Sequence, residues 1–254
     1  NAFSLFRTNF KNQCEKWAEL SEELYPLQSD TASKDTPPYP HETAVVYNTA
    51  LDALTAADNI RLIVIGDNPG KEEQLAVNRK YLVGQSGRIA EGFFRRNPEL
   101  GTDFRKNVII LNKTPIHTAK TAHLRYLANS SPKIQTLILE SQLWMAQATA
   151  CLHKQLVLGA EAESSFVPQL WLVGYAELKG KNGLFLPYRN CLKQTYFESN
   201  DKAWDEVFVY QHFSMNRFLI DLKAYREEHP DFLLKPALEE LGRQHKDEIF
   251  NSSF

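Results

Sequence analysis

Four short apolar runs along the chain each lead into a polar cluster, and those clusters hold the side chains able to do chemistry. They read Asp67-Asn68-Pro69-Gly70, Asn112-Lys113-Thr114-Pro115, Tyr175-Ala176-Glu177 and His212-Phe213-Ser214-Met215-Asn216. A carboxamide such as Asn68 orients a water but cannot take its proton, whereas a carboxylate such as Asp67 can. Asn112 presents a donor and an acceptor side by side, which is what reading the edge of a planar ring requires. An imidazole such as His212 donates or accepts near neutral pH. Each also has a plain structural use: Asp67 as an N-cap or turn residue, Asn112 in a turn, Ser214 as an N-cap, His212 as a helix cap or core group.

The preceding runs must position these clusters. Residues 61–66, 107–112, 170–174 and 207–212 are short, apolar and bounded by polar residues, the mark of buried parallel strands. Helical spacing covers 3–25, 45–57, 86–96, 131–156, 184–197 and 215–228, with a last surface helix over 232–250. Residues 28–42, with Pro37, Pro38 and Pro40, read as an extended loop. Alternating strands and helices predict an α/β fold, a three-layer α/β/α sandwich around a central four-stranded parallel sheet. One domain over 1–254 is expected, with N-terminal helices (3–57) and the C-terminal helix packed on the core. Ligands of such sheets bind beyond the carboxyl ends of the strands, where the clusters lie.

Competing motifs fail on detail. Residues 66–71 read GDNPGK, one residue short of a phosphate loop, with Glu72 where a magnesium-binding Ser or Thr belongs and Pro69 removing an amide donor. There is no GxGxxG after a strand and no GxSxG. His117 and His123 lack an HExxH frame and read as loop histidines near a polar surface. Cys14, Cys151 and Cys191 are odd in number, far apart and without CxxC, which predicts reduced thiols and a cytoplasmic protein. No run of 18 apolar residues suggests a membrane span, and residues 1–10 lack the order of a signal peptide.

Taken in order, the clusters resemble the uracil-DNA glycosylase superfamily. Residues 66–70 (GDNPG) are similar to its first motif, which reads GQDPY, GINPG, GMNPG or GEAPG. Residues 81–87 (YLVGQSG) resemble the PFVGxAG stretch of the bacterial families. Residues 109–115 (IILNKTP) are similar to the strand ending in the base-reading Asn, in the NxxP form of the single-strand-selective monofunctional enzymes. Residues 212–216 (HFSMN) resemble HPSP and its HPSPRN variant. The resemblance covers about residues 61–222 and is closest to the single-strand-selective and mismatch-specific types.

It implies a DNA-repair N-glycosylase that hydrolyses the bond between deoxyribose and a flipped, deaminated base, uracil first. Catalytic roles would fall to Asn68, Asp67 and His212, with Asn68 placing the water and His212 donating to the pyrimidine O2. Asn112, Leu82, Tyr81 and Gly70 would hold the base; Pro69, Ser214, Met215, Asn216, Arg217 and Lys113 would meet DNA. Phe218 suits either the wedge or the core. No cofactor or metal is implied, and the expected partner is single- or double-stranded DNA with a damaged base, met by a monomer away from membranes. Three departures keep an alternative open, a catalytically silent or differently specific DNA- or nucleotide-binding relative. Leu82 stands where the stacking aromatic belongs, Phe213 and Met215 replace both prolines of HPSP and imply a floppier or differently shaped wedge, and the cluster cysteines of the bacterial families are absent.

Charge bears on the same question. The chain carries 29 basic and 31 acidic side chains, net −2, which excludes bulk-charge binding of nucleic acid. Residues 78–133 nonetheless hold eleven basic residues against three acidic ones, net +8. One basic side on an otherwise acidic protein is expected.

Overall fold

The computed structural model describes residues 2–55, 58–162, 166–198 and 202–251. Strands β1 (Leu62–Gly66), β2 (Val108–Asn112), β3 (Gln169–Val173) and β4 (Val207–Tyr210) form one parallel sheet in the order β2-β1-β3-β4. Their residues are apolar on both faces and almost all buried, as strands covered on both sides require. Helices flank the sheet, giving the expected three-layer α/β/α sandwich. One layer holds α3 (Gln85–Arg96), α8 (Arg217–Glu228) and α9 (Leu234–Phe250). There Trp171 of β3 meets Phe94 and Phe218 at ring separations of 5.4 and 6.0 Å, and the Tyr210 hydroxyl of β4 donates to the Leu238 carbonyl at 2.9 Å. In the other layer α1 (Ala2–Ala18), α4 (Thr121–Ser130) and α7 (Leu186–Phe197) gather on the long α5 (Pro132–Ala162), with α2 (Ser21–Ser33) against α4. A single turn, α6 (Tyr175–Leu178), follows β3. No helix among the described residues is long and apolar enough to cross a membrane.

Several elements depart from the sequence expectation. The chain turns at Glu19 and Leu20, so 3–25 is not one helix, and α2 runs on through Pro26 into the stretch expected to be loop. Residues 45–55 are not α-helical. Val45 bridges to Ile116, and the Asn48 carboxamide accepts from the Ala50 amide while donating to the Ile110 carbonyl, which holds a short 3-10 turn over Thr49–Ala53. Residues 56–57 of that expected helix lie outside the described residues. Helix α4 arises where no helix was expected, and α5 runs six residues past 156. Helix α9 packs on the core through one face: Leu234, Leu238, Leu241 and Ile249 are buried, and a Cβ on Gly242 would lie 2.6 Å from the Tyr210 hydroxyl, while Lys235, Arg243 and Gln244 are exposed on the other.

The topology marks one place. β1 lies between β2 and β3, so the chain winds one way from β1 to β2 and returns across β1 to reach β3. A doubly wound sheet opens a crevice at such a reversal, beyond the carboxyl ends of the two strands.

Candidate functional site

The β1–β2 ladder runs to Gly66 and Asn112, but the β1–β3 ladder stops one residue earlier, at Ile65 and Leu172. Past that point the strands part, and the Val173 carbonyl of β3 takes a side chain as its donor. Lys113 fills the gap. Its Nζ donates to the Val173 carbonyl and Asp67 Oδ1, both at 2.5 Å, and to the Gly66 carbonyl at 3.4 Å, against the Phe185 ring. All three protons of the ammonium are used. Burial lowers its pKa and the Asp67 carboxylate works against that shift. Lys113 is 0 % exposed. It is a strut under the crevice and does not reach DNA, contrary to the sequence expectation. Gly174, at φ +101°, makes room for the pair, since a Cβ there would lie 2.3 Å from Asp67 Oδ1.

Above the strut lies a cleft of about 420 Å³. Asp67, Asn68, Gly70, Leu82, Asn112, His212, Ser214, Met215 and Arg217 all line it. Asn68 is oriented by its neighbours: its Nδ2 donates to the Thr118 carbonyl at 3.0 Å and the Thr118 hydroxyl at 2.9 Å, which leaves Oδ1 as an acceptor. The Thr121 hydroxyl stands 3.4 Å from both that Oδ1 and Asp67 Oδ2, so the amide oxygen and the free carboxylate oxygen flank one spot. Asn112 is 2 % exposed, and its Nδ2 has no hydrogen-bond partner. An unpaired buried donor costs about 1–3 kcal/mol, and this one belongs to a residue that lines the cleft. The amide fits only because residue 66 is glycine: a Cβ there would lie 2.4 Å from Asn112 Oδ1.

His212 follows β4. The backbone N–H of Ser214 donates to its Nδ1 at 3.0 Å, and the Ser214 hydroxyl stands 2.8 Å away. An Nδ1 that accepts an amide proton carries none itself, so the neutral ring has its proton on Nε2. Burial holds the pKa below its ordinary 6.5, which keeps the ring neutral at pH 7. Ser214 thus orients His212 and makes no side-chain cap for α8, whose N-cap is Asn216. The loop that lacks both prolines is packed by its own side chains. Phe213 is fully buried against Phe218, ring centroids 5.0 Å apart, and the Phe218 amide donates to the His212 carbonyl at 3.2 Å. Phe218 belongs to the core, while Met215 stands at the cleft rim, 66 % exposed. Asn216 is exposed and does not line the cleft.

The opposite wall is held by Glu73, which sequence reasoning passed over beside the more conspicuous Glu72. Its buried carboxylate accepts the Gly70 amide at 3.0 Å and the Leu82 amide at 2.8 Å, tying two cleft segments together. Burial raises its pKa to about 7 against the pull of those two amides. Leu82 is further fixed by Arg105, whose Nη2 donates to its carbonyl at 2.8 Å. Two expected contacts lie elsewhere. Tyr81 is 1 % exposed, and its hydroxyl donates to the Val46 carbonyl at 2.5 Å, so it faces away from Leu82 into the core. Pro69 is buried, and its carbonyl faces the His117 Nδ1 at 2.9 Å and the Thr118 amide at 3.2 Å. His117 is no surface histidine: it is fully buried, with Tyr39 on its other nitrogen, and burial drops its pKa to about 3.

Thr118 and Thr121 were also missed. The polar run after Pro115 (residues 117–121, HTAKT) was their signal, since it follows a strand end. Gly70 borders open space, for a Cβ added there meets nothing within 4 Å. Lys71, the lysine of the GDNPGK run, is turned away to pair with buried Asp35. The cleft therefore offers one imidazole donor, one carboxamide acceptor beside a carboxylate, and one unpaired carboxamide donor, from three separate strand ends. Compared with family models, curated proteins and solved structures, the chain matches none.

Proposed function

We propose that this protein is a monofunctional DNA N-glycosylase that hydrolyses the bond between deoxyribose and a deaminated base, uracil first. One observation carries the reading: Asn68, Asn112 and His212, brought from the ends of β1, β2 and β4, surround one cleft at the reversal of strand order. Breaking the glycosidic bond leaves charge on a ring oxygen of the departing base. The Nε2 proton of a neutral His212 is a fixed donor for that oxygen, and such prepositioned donors stabilise developing charge best in a partly dry site. The unpaired Nδ2 of Asn112 takes a second acceptor on the base edge. A water held by Asn68 Oδ1 attacks the sugar carbon, and its proton passes to Asp67 Oδ2 or to solvent. The open space at Gly70 admits bases bulkier than uracil.

A second reading rests on the absence of any Phe, Tyr or Trp from the described lining of the cleft. Stacking contributes about 1–3 kcal/mol per base, and Leu82 cannot supply it. A binding relative that holds a nucleotide without cleaving it accommodates that composition. A base-release assay on single- and double-stranded oligonucleotides carrying uracil, hypoxanthine or xanthine separates the two. Release from at least one, with His212→Ala and Asn68→Ala each slower by about a hundredfold or more, is expected. Intact oligonucleotides across the whole panel would leave only the binding reading.

A further inference from the structure

A second depression, of about 640 Å³, lies beside the cleft. It is lined by residues of the Thr49–Ala53 turn, the 80–83 loop, the outer face of α3 and the segment before β2. The two share the segment that leads into α3: Leu82 and Ser86 line the cleft, Val83 and Arg88 the groove. Its charge is positive. Lys80, Arg88, Arg105 and Lys106 face it against Asp58 and Glu91. Both carboxylates are engaged, Glu91 by Arg105 at 2.9 Å and Asp58 by the Thr55 amide and hydroxyl. Lys80 and Arg88 are exposed and, among the described residues, pair with no carboxylate.

The groove is built. On either side of Lys80 the backbone is pinned to its far wall: the Arg79 carbonyl accepts the Thr49 amide at 2.8 Å, and the Tyr81 amide donates to Asn48 Oδ1 at 3.3 Å. Asn48 is itself fully buried and tied to the Ile110 carbonyl. Tyr81, its ring in the core, is the anchor that aims Lys80 outward. Arg105 joins groove to cleft, bonding Glu91 through Nε and the Leu82 carbonyl through Nη2.

We propose that this groove binds the phosphate backbone of a nucleic acid, holding the strand that flanks the nucleotide delivered to the cleft. The inference rests on the glycosylase reading for the cleft's occupant but not for the groove's own chemistry. Continuity favours a nucleic acid over an acidic peptide. A strand that gives up one base at the 82–86 loop carries its next phosphates past the same loop, at ~3.4 Å of axis per step in a duplex. Lys80 and Arg88, both lining the groove, then meet phosphates of that strand, and the small apolar side chains of Ala50, Ala53 and Val83 let the backbone lie close.

The test is fluorescence anisotropy with a labelled 15-mer duplex bearing a central abasic-site analogue, read across a salt series. The full chain is compared with the Lys80→Ala/Arg88→Ala double variant and with a Lys11→Ala/Lys16→Ala control on α1. The groove predicts a salt slope shallower by about 1.8, two phosphate contacts at roughly 0.9 each, and binding at least about tenfold weaker at 0.1 M salt. The control leaves both unchanged. An unaltered slope, or an equal loss in the control, overturns the proposal, as does polyglutamate competing as well as DNA. Slope loss without base release from the wild type keeps the groove and removes the glycosylase; base release with an unaltered slope does the reverse.

Discussion

Replacing Lys113 with Met tests whether the strut beneath the cleft is structural. Methionine keeps the apolar stem and most of the volume, so the change isolates the ammonium. Its loss leaves the Asp67 carboxylate, 9 % exposed, without a counter-ion, and strips a donor from the Val173 and Gly66 carbonyls where β1 and β3 part. Removing one partner of a buried pair costs about 3–5 kcal/mol. In a chain of this size each kcal/mol moves the midpoint of thermal unfolding by roughly 2–4 °C, so a fall of roughly 6–20 °C is expected by circular dichroism. Adding Asp67→Asn removes the stranded charge, and the double variant should regain much of the loss, short by about 1–3 kcal/mol for the Val173 carbonyl left without its donor; the Gly66 carbonyl keeps the residue-113 amide at 3.0 Å. A lysine that merely touched DNA would give the opposite pattern, weaker binding at an unchanged midpoint. That pattern, or a double variant no more stable than Lys113→Met, would refute the strut.

Glu73 gives the protein a pH dependence with a definite sign. Its pKa is about 7 in the fold against 4.5 in a free chain, so between those values the folded state holds a proton that the unfolded state has released. Stability should fall as pH rises from about 5 to 7.5, by up to ~3 kcal/mol, and the fall should vanish in Glu73→Gln; parallel melting curves for the two proteins would count against it. Gly66→Ala drives a methyl into Asn112 Oδ1. The fold should survive at a cost of about 1–3 kcal/mol while base release drops by roughly tenfold or more through loss of one base-edge hydrogen bond, whereas undiminished release in a steady-state assay would show that Asn112 does not touch the base.

The strands and the cluster positions were legible because both depend on short-range pattern. A run such as Leu62-Ile63-Val64-Ile65 is what a strand covered on both faces of a parallel sheet requires, and polar residues at its end then lie at the sheet's edge. What escaped was set by contacts between segments far apart in the chain. The helix expected over 45–57 fails because one carboxamide, Asn48, bonds a carbonyl 62 residues away. Lys113 looks like a surface cation until two strands are known to part above it. Tyr81 and Leu82 are adjacent, and which of them faces the cleft depends on Glu73 and Arg105 gripping the backbone of Leu82. The neutral state of His212 was open in the sequence, where no spacing reveals that the Ser214 amide points at Nδ1.

Backbone strain ties the two candidate sites together independently of any motif. The non-glycine residues with positive φ among the described residues are Arg79, Leu82, Met215 and Asn216. Leu82 and Met215 form opposite walls of the cleft, Asn216 follows Met215, and Arg79 precedes the lysine that faces the groove. A left-handed conformation costs a side-chain-bearing residue about 1–3 kcal/mol and persists only where neighbours over-determine it. Each is held in that way here: Leu82 by Glu73 and Arg105, Arg79 by Thr49, and the 215–216 turn between the His212–Ser214 contact and the buried Phe213–Phe218 pair. Glycine at these positions would relieve the strain but would also free the loops. Bulky residues therefore fix the walls in place, and the proposed grip on one nucleotide, with its neighbours along the adjoining groove, calls for walls of that kind.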